Sequence, residues 1–450
     1  MNIVIIGAGD VGLYIATLLS KQKHNVTLID KDGNKLNEIS WQMDVAIQQG
    51  SGTDWQLLDS LLDLHPDLLI ALTSQDETNL VACSIAKNLG YPKTIARVRD
   101  NLYLNRTRLD FARIYHVDSF ISPELLVANE MYKYIVSPNS LAFENFAHGE
   151  VQMRTLQIPG HWKFGHEKIS KLKLPKGIIL GLIYRQTSKG ERTLIFPHGS
   201  DAIEPGDEVT LIGQRHQMSD IHRFFENPSQ KVDKVKIVGG TLVGKHLAHI
   251  LEEQHIAVSL IDKHPLACQH LAKTLPGCSI IQQDGTDLDF LLSENINPSD
   301  YYIMCTYHDE TNILGALVAK EAGYQNIAIT LSNNRFLPLM HHLGIVHIVS
   351  PKLAAANQII GLTTSKSITS LVSLYENEAE ILEITVSSNS QIIGIPLSEI
   401  GPRLPKDFLI MMIQSRGNIS IAKGDSVISP GDTVIVICNP KYFQELGNIF

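Results

Sequence analysis

Residues 5–30 read IIGAGDVGLYIATLLSKQKHNVTLID, and residues 237–262 read IVGGTLVGKHLAHILEEQHIAVSLID. Sliding one stretch onto the other, from 5 to 237, is an offset of 232. It places Gly7, Gly12 and Asp30 on Gly239, Gly244 and Asp262. Each stretch is an apolar run of strand length, a glycine turn, an amphipathic helical segment, and a second apolar run that ends on an acid. A pattern seen twice in one chain points to an internal duplication, which has to be settled before any single motif is interpreted.

The matches continue outward in the same order. GTD at 52–54 recurs at 285–287, and DETN at 76–79 recurs at 309–312. ISPELLVANE at 121–130 returns as VSPKLAAANQ at 349–358. Chance is a poor explanation for four collinear matches. Within the first copy, apolar runs near IVIIG, VTLID, DVAIQQG, DLLIALT, TIARV and VDSFIS alternate with segments such as VGLYIATLLSKQ and TNLVACSIAKNLG. Runs that are continuously apolar, instead of alternating, suit strands buried on both faces of a parallel sheet. Repeated βαβ units predict a doubly wound α/β fold of the Rossmann type, one in each half. A different texture follows each block. Short β-like runs (VQMRTLQI, GIILGLIY, RTLIF, EVTLIG; later AEILEITV, FLIMMIQ, TVIVIC) are separated by turn signals. The turns EPGD at 204–207 and SPGD at 429–432 each predict entry into an edge strand. The main linker is placed near HRFFENPSQKVDK at 222–234. Four domains are expected: Rossmann-like 1–140, small α+β 141–226, Rossmann-like 233–368 and small α+β 369–450.

Composition sets the class. At 450 residues, 44% of them apolar, the chain can build several cores. A net charge of −9, with both signs interspersed, argues against a sequence-independent nucleic-acid binder. No run of about 18 apolar residues predicts a membrane span, and MNIVIIGAGD reads as a strand, not as a signal peptide. A cytoplasmic protein is expected, with peripheral membrane attachment left open. Five cysteines without a C-x-x-C pair give no metal knuckle or disulfide framework. The groups His264/His270 and His341/His342/His347 lack acidic partners at ligand spacing and read as surface histidines. No G-x-S-x-G or phosphate-binding G-K-S/T loop occurs.

Gly7-Ala8-Gly9-Asp10-Val11-Gly12 fits G-x-G-x-x-G in its required context, with Asp30 closing the next strand. Gly7 permits the tight turn, Gly9 lets backbone approach a pyrophosphate, and Gly12 lets helix and strand pack closely. The helix N-terminus offers N–H groups and partial positive charge to phosphate. Asp30 is placed to accept from a ribose diol, and its charge favours NAD(H) over a 2′-phosphorylated dinucleotide. Asp54, Thr73, Ser74 and Arg97 fall at carboxyl ends of strands, where ligands bind in open α/β sheets. Asp54, like Asp287, is equally placed to cap a helix, as are Asp76, Asn79, Asp309 and Asn312. Arg97 suits either a phosphate contact or a plain surface position. In the second copy, Gly239-Gly240-Thr241-Leu242-Val243-Gly244 carries Thr241 at the middle glycine, where a Cβ would crowd a pyrophosphate. Gly240 offers a compensating shift of the turn, and Asp262 keeps the acid. Thr330 stands where the first copy has Arg97. A competent second site and a degenerate one both stay open.

Taken together, GAGDVG, Asp30, GTD, ALTSQDETN and IARVR resemble the TrkA family, the NAD-binding regulatory subunits of bacterial Trk potassium-uptake systems. That family is built from RCK (or KTN) domains, a Rossmann-like N-lobe followed by a small C-lobe, and the double plan covers essentially the whole chain. The resemblance implies a non-enzymatic, cytoplasmic regulator peripheral to the membrane. It also implies NAD or NADH as ligand, with ATP or ADP as a competitor, and a Trk-type potassium channel-like membrane subunit as partner. Self-assembly as a dimer or tetrameric ring follows from it, and no nucleic acid. It assigns nucleotide contacts to Gly7 through Val11, Asp30, Thr73, Ser74 and Arg97, and to Gly239 through Val243 and Asp262. The alternative class is an NAD-dependent oxidoreductase, which would need a substrate domain bearing an acid–base residue. The small repeated lobes carry no obvious His or Lys constellation of that kind.

Overall fold

A computed structural model describes residues 1–40, 43–104, 108–136, 140–186, 192–218, 221–226, 232–345, 347–363, 368–375, 378–401, 404–405, 407–442 and 449–450. The first α/β block runs β1 (Asn2–Ile6), α1 (Asp10–Lys21), β2 (Asn25–Asp30), α2 (Gly33–Ser40), β3 (Ala46–Gln49), α3 (Trp55–Ser60), β4 (Leu68–Ala71), α4 (Asp76–Leu89), β5 (Lys93–Arg97), α5 (Phe111–Ile114), β6 (Ser119–Ile121) and α6 (Pro123–Val136). A small lobe follows: β7 (Ser140–Phe146), β8 (Val151–Gln157), β9 (Ile178–Gln186), β10 (Arg192–Ile195), β11 (Glu208–Gln214), α7 (Arg215–Met218) and α8 (Ile221–Phe224). The second block repeats the plan as β12 (Lys234–Val238), α9 (Leu242–Glu253), β13 (Ala257–Asp262), α10 (Pro265–Thr274), β14 (Ser279–Gln282), α11 (Leu288–Ser293), β15 (Tyr301–Met304), α12 (Asp309–Glu321), β16 (Asn326–Thr330), α13 (Leu337–His342), β17 (His347–Val349) and α14 (Pro351–Thr363). The last lobe holds β18 (Ile368–Leu374), β19 (Ala379–Thr385), α15 (Leu397–Ile400), β20 (Phe408–Ser415), β21 (Asn418–Ile421) and β22 (Thr433–Cys438).

Both α/β blocks are Rossmann-like. Their strand orders are β3-β2-β1-β4-β5-β6 and β14-β13-β12-β15-β16-β17, with parallel pairing. Leu68–Ala71 and Tyr301–Met304 are buried along their whole length, because helices cover both faces of each sheet. Strand order reverses between β1 and β4, and between β12 and β15. The crevice at such a reversal, beyond the carboxyl ends of the strands, is where open α/β sheets take ligands.

The chain forms two compact units, Met1–Tyr132 with Asp233–Gln358 and Lys133–Val232 with Ile359–Phe450. The first joins the two Rossmann blocks, and the second joins the two small lobes. Each lobe is a five-stranded antiparallel sheet. In that second unit Phe146, Met153 and Leu182 share one core with Ile381, Met411 and Ile437. Tyr184 stacks on Tyr375 with ring centroids 4.3 Å apart. A lobe that leaves one sheet face apolar finds its cover in the other copy.

Several expectations are corrected here. The strands after the two Pro-Gly-Asp turns are not edge strands: β11 lies between β9 and β8, and β22 between β19 and β20. The turns themselves form, with Asp207 accepting from Glu204 N and Asp432 from Ser429 N. Both strands are buried along almost their whole length, as suits a central position. The proposed linker begins too early, because His222–Phe224 lies in α8 and Phe225 is fully buried; residues 227–231 lie outside the described residues. His347 is a core residue of β17, not a surface histidine, and burial pushes its imidazole down to about 4. Strands β7, β18 and β21 carry mixed polar and apolar residues and gave no sequence signal. Among the described residues no helix is long and apolar enough to cross a membrane, and no group of three or more potential metal ligands occurs.

Candidate functional site

The glycine turn between β1 and α1 takes its shape from three different needs. Gly7 adopts φ +105°, a conformation other residues rarely reach, and an added Cβ would sit 3.0 Å from Thr73 N. At Gly12 a Cβ would lie 1.9 Å from Gly7 O, so only glycine lets α1 seat on β1. Gly9 is different: a Cβ there would meet nothing within 4 Å. Its φ of −74° is open to any residue, so folding does not demand glycine there. The open space above Gly9 is the space a pyrophosphate would need at the N-terminus of α1.

Asp30 organises this turn. Its Oδ2 accepts from Ala8 N at 2.6 Å, and its Oδ1 accepts from Asp32 N at 3.0 Å. A carboxylate has about four acceptor positions, which leaves room for a diol. A cleft of about 400 Å³ opens over the carboxyl ends of β1 and β4. Gly7, Gly9, Asp30, Thr73, Ser74 and Arg97 all line it. Lys31, Lys35, Gln75 and Thr78 also line it and were missed, because a lysine or threonine after a strand carries no distinctive spacing. A depression of similar size, about 390 Å³, lies at the amino ends of the same strands, lined by Asn2, His24, Asp44 and Pro66. It has no glycine turn and sits at the end of the sheet opposite to the strand-order crevice.

The remaining expected residues are placed as follows. Ala8 and Gly12 serve the turn, Val11 is buried and Asp10 is exposed at the first helical position. Asp54 does not line the cleft; its carboxylate caps α3, accepting from Gln56 N and Leu57 N. Asp287 does the same for α11 through Phe290 N. Asp76 and Asn79 do not cap the helix they open. Asn79 is fully buried and stitches two strand ends together, bonding Thr73 N, Thr73 Oγ1, Thr73 O and Arg97 O. Asp76 accepts from Arg99 N and Asp100 N. Asn312 and Asp309 repeat both arrangements. The repeated DETN is therefore a brace that holds the cleft rim. Arg97 reaches the rim with its guanidinium committed to Glu124, Nη2 to Oε1 at 2.7 Å.

The second copy has the same backbone with different side chains. Gly239 adopts φ +114°, matching Gly7. Asp262 accepts from Gly240 N at 2.7 Å and from His264 N at 2.8 Å. The turn is not shifted: Thr241 has φ −73° and ψ 172°, against −74° and 177° at Gly9. Nor does Thr241 project outward. It is 6% exposed, its hydroxyl donates to Cys305 O at 2.8 Å, and it accepts from Gly244 N at 3.3 Å. Thr241 thus consumes a helix N–H that the first copy leaves without a side-chain cap. Leu242 opens α9 and Val243 is buried in it. Where the first cleft has Lys31, Lys35, Ser74 and Arg97, the second copy has Lys263, Ala267, Tyr307 and Thr330. Two cations are lost, and Asn312 Nδ2 donates to Thr330 Oγ1.

Comparison with known proteins gives this arrangement a family. Residues 3–123 and 235–351 match the TrkA-N domain, and residues 163–226 and 381–450 match the TrkA-C domain. A Methanosarcina mazei protein named Trk system potassium uptake protein TrkA homolog 1 is 32% identical, with both chains covered completely. A crystal structure of the GsuK RCK domain shares the fold at TM-score 0.63 and 16% identity, covering 99% of this chain and 94% of its own. A GsuK channel bound to NAD aligns at TM-score 0.64 and 17% identity, over 99% of this chain and 78% of that one. With both domain types matched twice and a relative matched end to end, the chain belongs to the TrkA family of Trk system potassium uptake proteins.

Proposed function

We infer that this chain is an NAD(H)-binding regulatory subunit that gates potassium uptake through a Trk-type membrane subunit from the cytoplasmic side. The observation that carries the reading is the first cleft. Its Gly9 backbone is open, its rim carries Lys31 and Lys35, and its acid, Asp30, sits where a ribose would lie. Membership of the TrkA family supplies the transport context, and the NAD named with the GsuK channel supports the choice of ligand. Assembly of several copies beneath the transporter belongs to the same reading.

Gating requires more than binding. A nucleotide shifts a conformational equilibrium only by its difference in affinity for the two states. The Rossmann unit continues into the small lobes through α6 and α14, whose residues fall on both sides of the division at 132/133 and 358/359. Coupling energies of this kind are about 1–3 kcal/mol, several-fold to about a hundredfold in affinity. The test is reconstitution with a Trk-type membrane subunit. Potassium flux is expected to differ between NADH, NAD+, ATP and ADP, and the membrane subunit to change nucleotide affinity by the reciprocal factor. Flux that is the same with and without this protein under every nucleotide would overturn the reading and reopen the oxidoreductase alternative.

A further inference from the structure

We propose that Lys352, carried by the second Rossmann block, is a phosphate-binding residue of the nucleotide cleft in the first block. The inference rests on the nucleotide reading above and adds a residue to that site. It starts from a charge exchange between the copies. In the first, Arg97 and Arg99 converge on Glu124, at 2.7 Å and 3.6 Å. The corresponding second-copy residues are Thr330, Ser332 and Lys352. Both arginines are gone, and the carboxylate has become an ammonium. Lys352 has neither arginine beside it at its own rim, and its ammonium reaches the other block. Its Nζ lies 3.9 Å from Asp10 Oδ2, at the first residue of α1, directly after Gly9.

That contact is long and lopsided. The Lys352 side chain is 23% exposed, whereas Asp10 is 83% exposed. A solvated carboxylate at 3.9 Å holds a lysine weakly. An anion seated on the N-terminus of α1 would lie within reach of the same ammonium and would add the helix N–H groups to it. The converse position is built differently. Facing α9, the first block presents Asn101, whose Nδ2 bonds His246 Nδ1 at 3.0 Å, and its Glu124 carboxylate is already taken by Arg97 and Arg99. The N-terminus of α1 is thus approached by a cation from the opposite block, whereas α9 meets a side-chain amide and a carboxylate already paired with arginine.

The test uses the full-length chain. NADH and ADP affinities are measured by calorimetry, and adenosine binding by saturation-transfer NMR, for the wild type, Lys352→Gln and Lys352→Arg. Lys352→Gln is expected to weaken NADH and ADP about tenfold, leave adenosine within about twofold, and be rescued by Lys352→Arg. Asp10→Asn, which removes the competing carboxylate, is expected to tighten NADH. Unchanged NADH and ADP affinity in Lys352→Gln would overturn the proposal while leaving the nucleotide site standing. Equal loss of adenosine would also overturn it, because the residue would then shape the cleft without touching phosphate. A wild-type chain that binds neither NADH nor ADP would overturn the nucleotide reading, and this proposal with it.

Discussion

Gly9 and Thr241 occupy the same backbone conformation to within 5° in each dihedral, yet the two turns are put to different uses. At Gly9 the helix start is left open to the cleft; at Thr241 a buried hydroxyl closes it by bonding Cys305 O and Gly244 N. The positions that make the turn, Gly7, Gly12 and Asp30, are retained as Gly239, Gly244 and Asp262, with the same carboxylate-to-turn hydrogen bond. Three positions that line the first cleft differ: Lys35 is matched by Ala267, Ser74 by Tyr307 and Arg97 by Thr330. The fold-forming set is retained whole, whereas the cleft-lining set is retained only in part, with two of its cations lost. The glycine motif alone does not separate the two uses, because two of its three glycines serve packing.

The largest effect that sharpens the comparison concerns acid. His347 on β17 corresponds to Ser119 on β6, so only the second block carries this buried histidine. Its folded-state value of about 4 lies below the ordinary value of 6.5, because burial disfavours the imidazolium. The unfolded chain therefore takes up the proton first as pH falls. Stability is unaffected above 6.5 and is lost progressively between 6.5 and 4, by about 2 kcal/mol from pH 7 to pH 5. Urea denaturation of His347→Ser should show that much less loss over the same interval. An unchanged pH slope would mean that His347 is not held neutral by the second block.

A smaller effect tests the two turns directly. Thr241→Gly removes a buried hydroxyl with two partners and should cost about 1 kcal/mol in chemical denaturation. Gly9→Thr should leave stability within about 0.5 kcal/mol, since the backbone accepts threonine and threonine caps about as well as glycine. The same substitution should weaken NADH binding. Equal stability changes of the same sign in both variants would mean that the two turns are not used differently.

Much of this was legible in the residues. Collinear repeats and continuously apolar runs gave the two parallel sheets, since burial on both faces leaves little choice of residue type. Ala8 N–Asp30 bonding was not legible, because spacing shows only that Asp30 ends a strand and not what its carboxylate accepts. The bracing by Asn79 was hidden for the same reason: an asparagine at a helix start looks like a cap, and its true partners lie on strands distant in sequence. Thr241 was read as an obstruction because a Cβ was counted and its rotamer could not be. The mixed strands β7, β18 and β21 obey contacts from neighbouring strands more than any local preference.

The central claim is that the first block holds the working nucleotide site. Calorimetric titration of the full-length chain with NADH, in the wild type and in Asp30→Ala and Asp262→Ala, tests it most directly. One tight binding event per chain is predicted. Asp30→Ala should weaken it by roughly 10- to 150-fold, the equivalent of about 1.5–3 kcal/mol for a charged hydrogen bond, whereas Asp262→Ala should leave it unchanged. Two equivalent events per chain, or loss of the tight event in Asp262→Ala alone, would contradict the account.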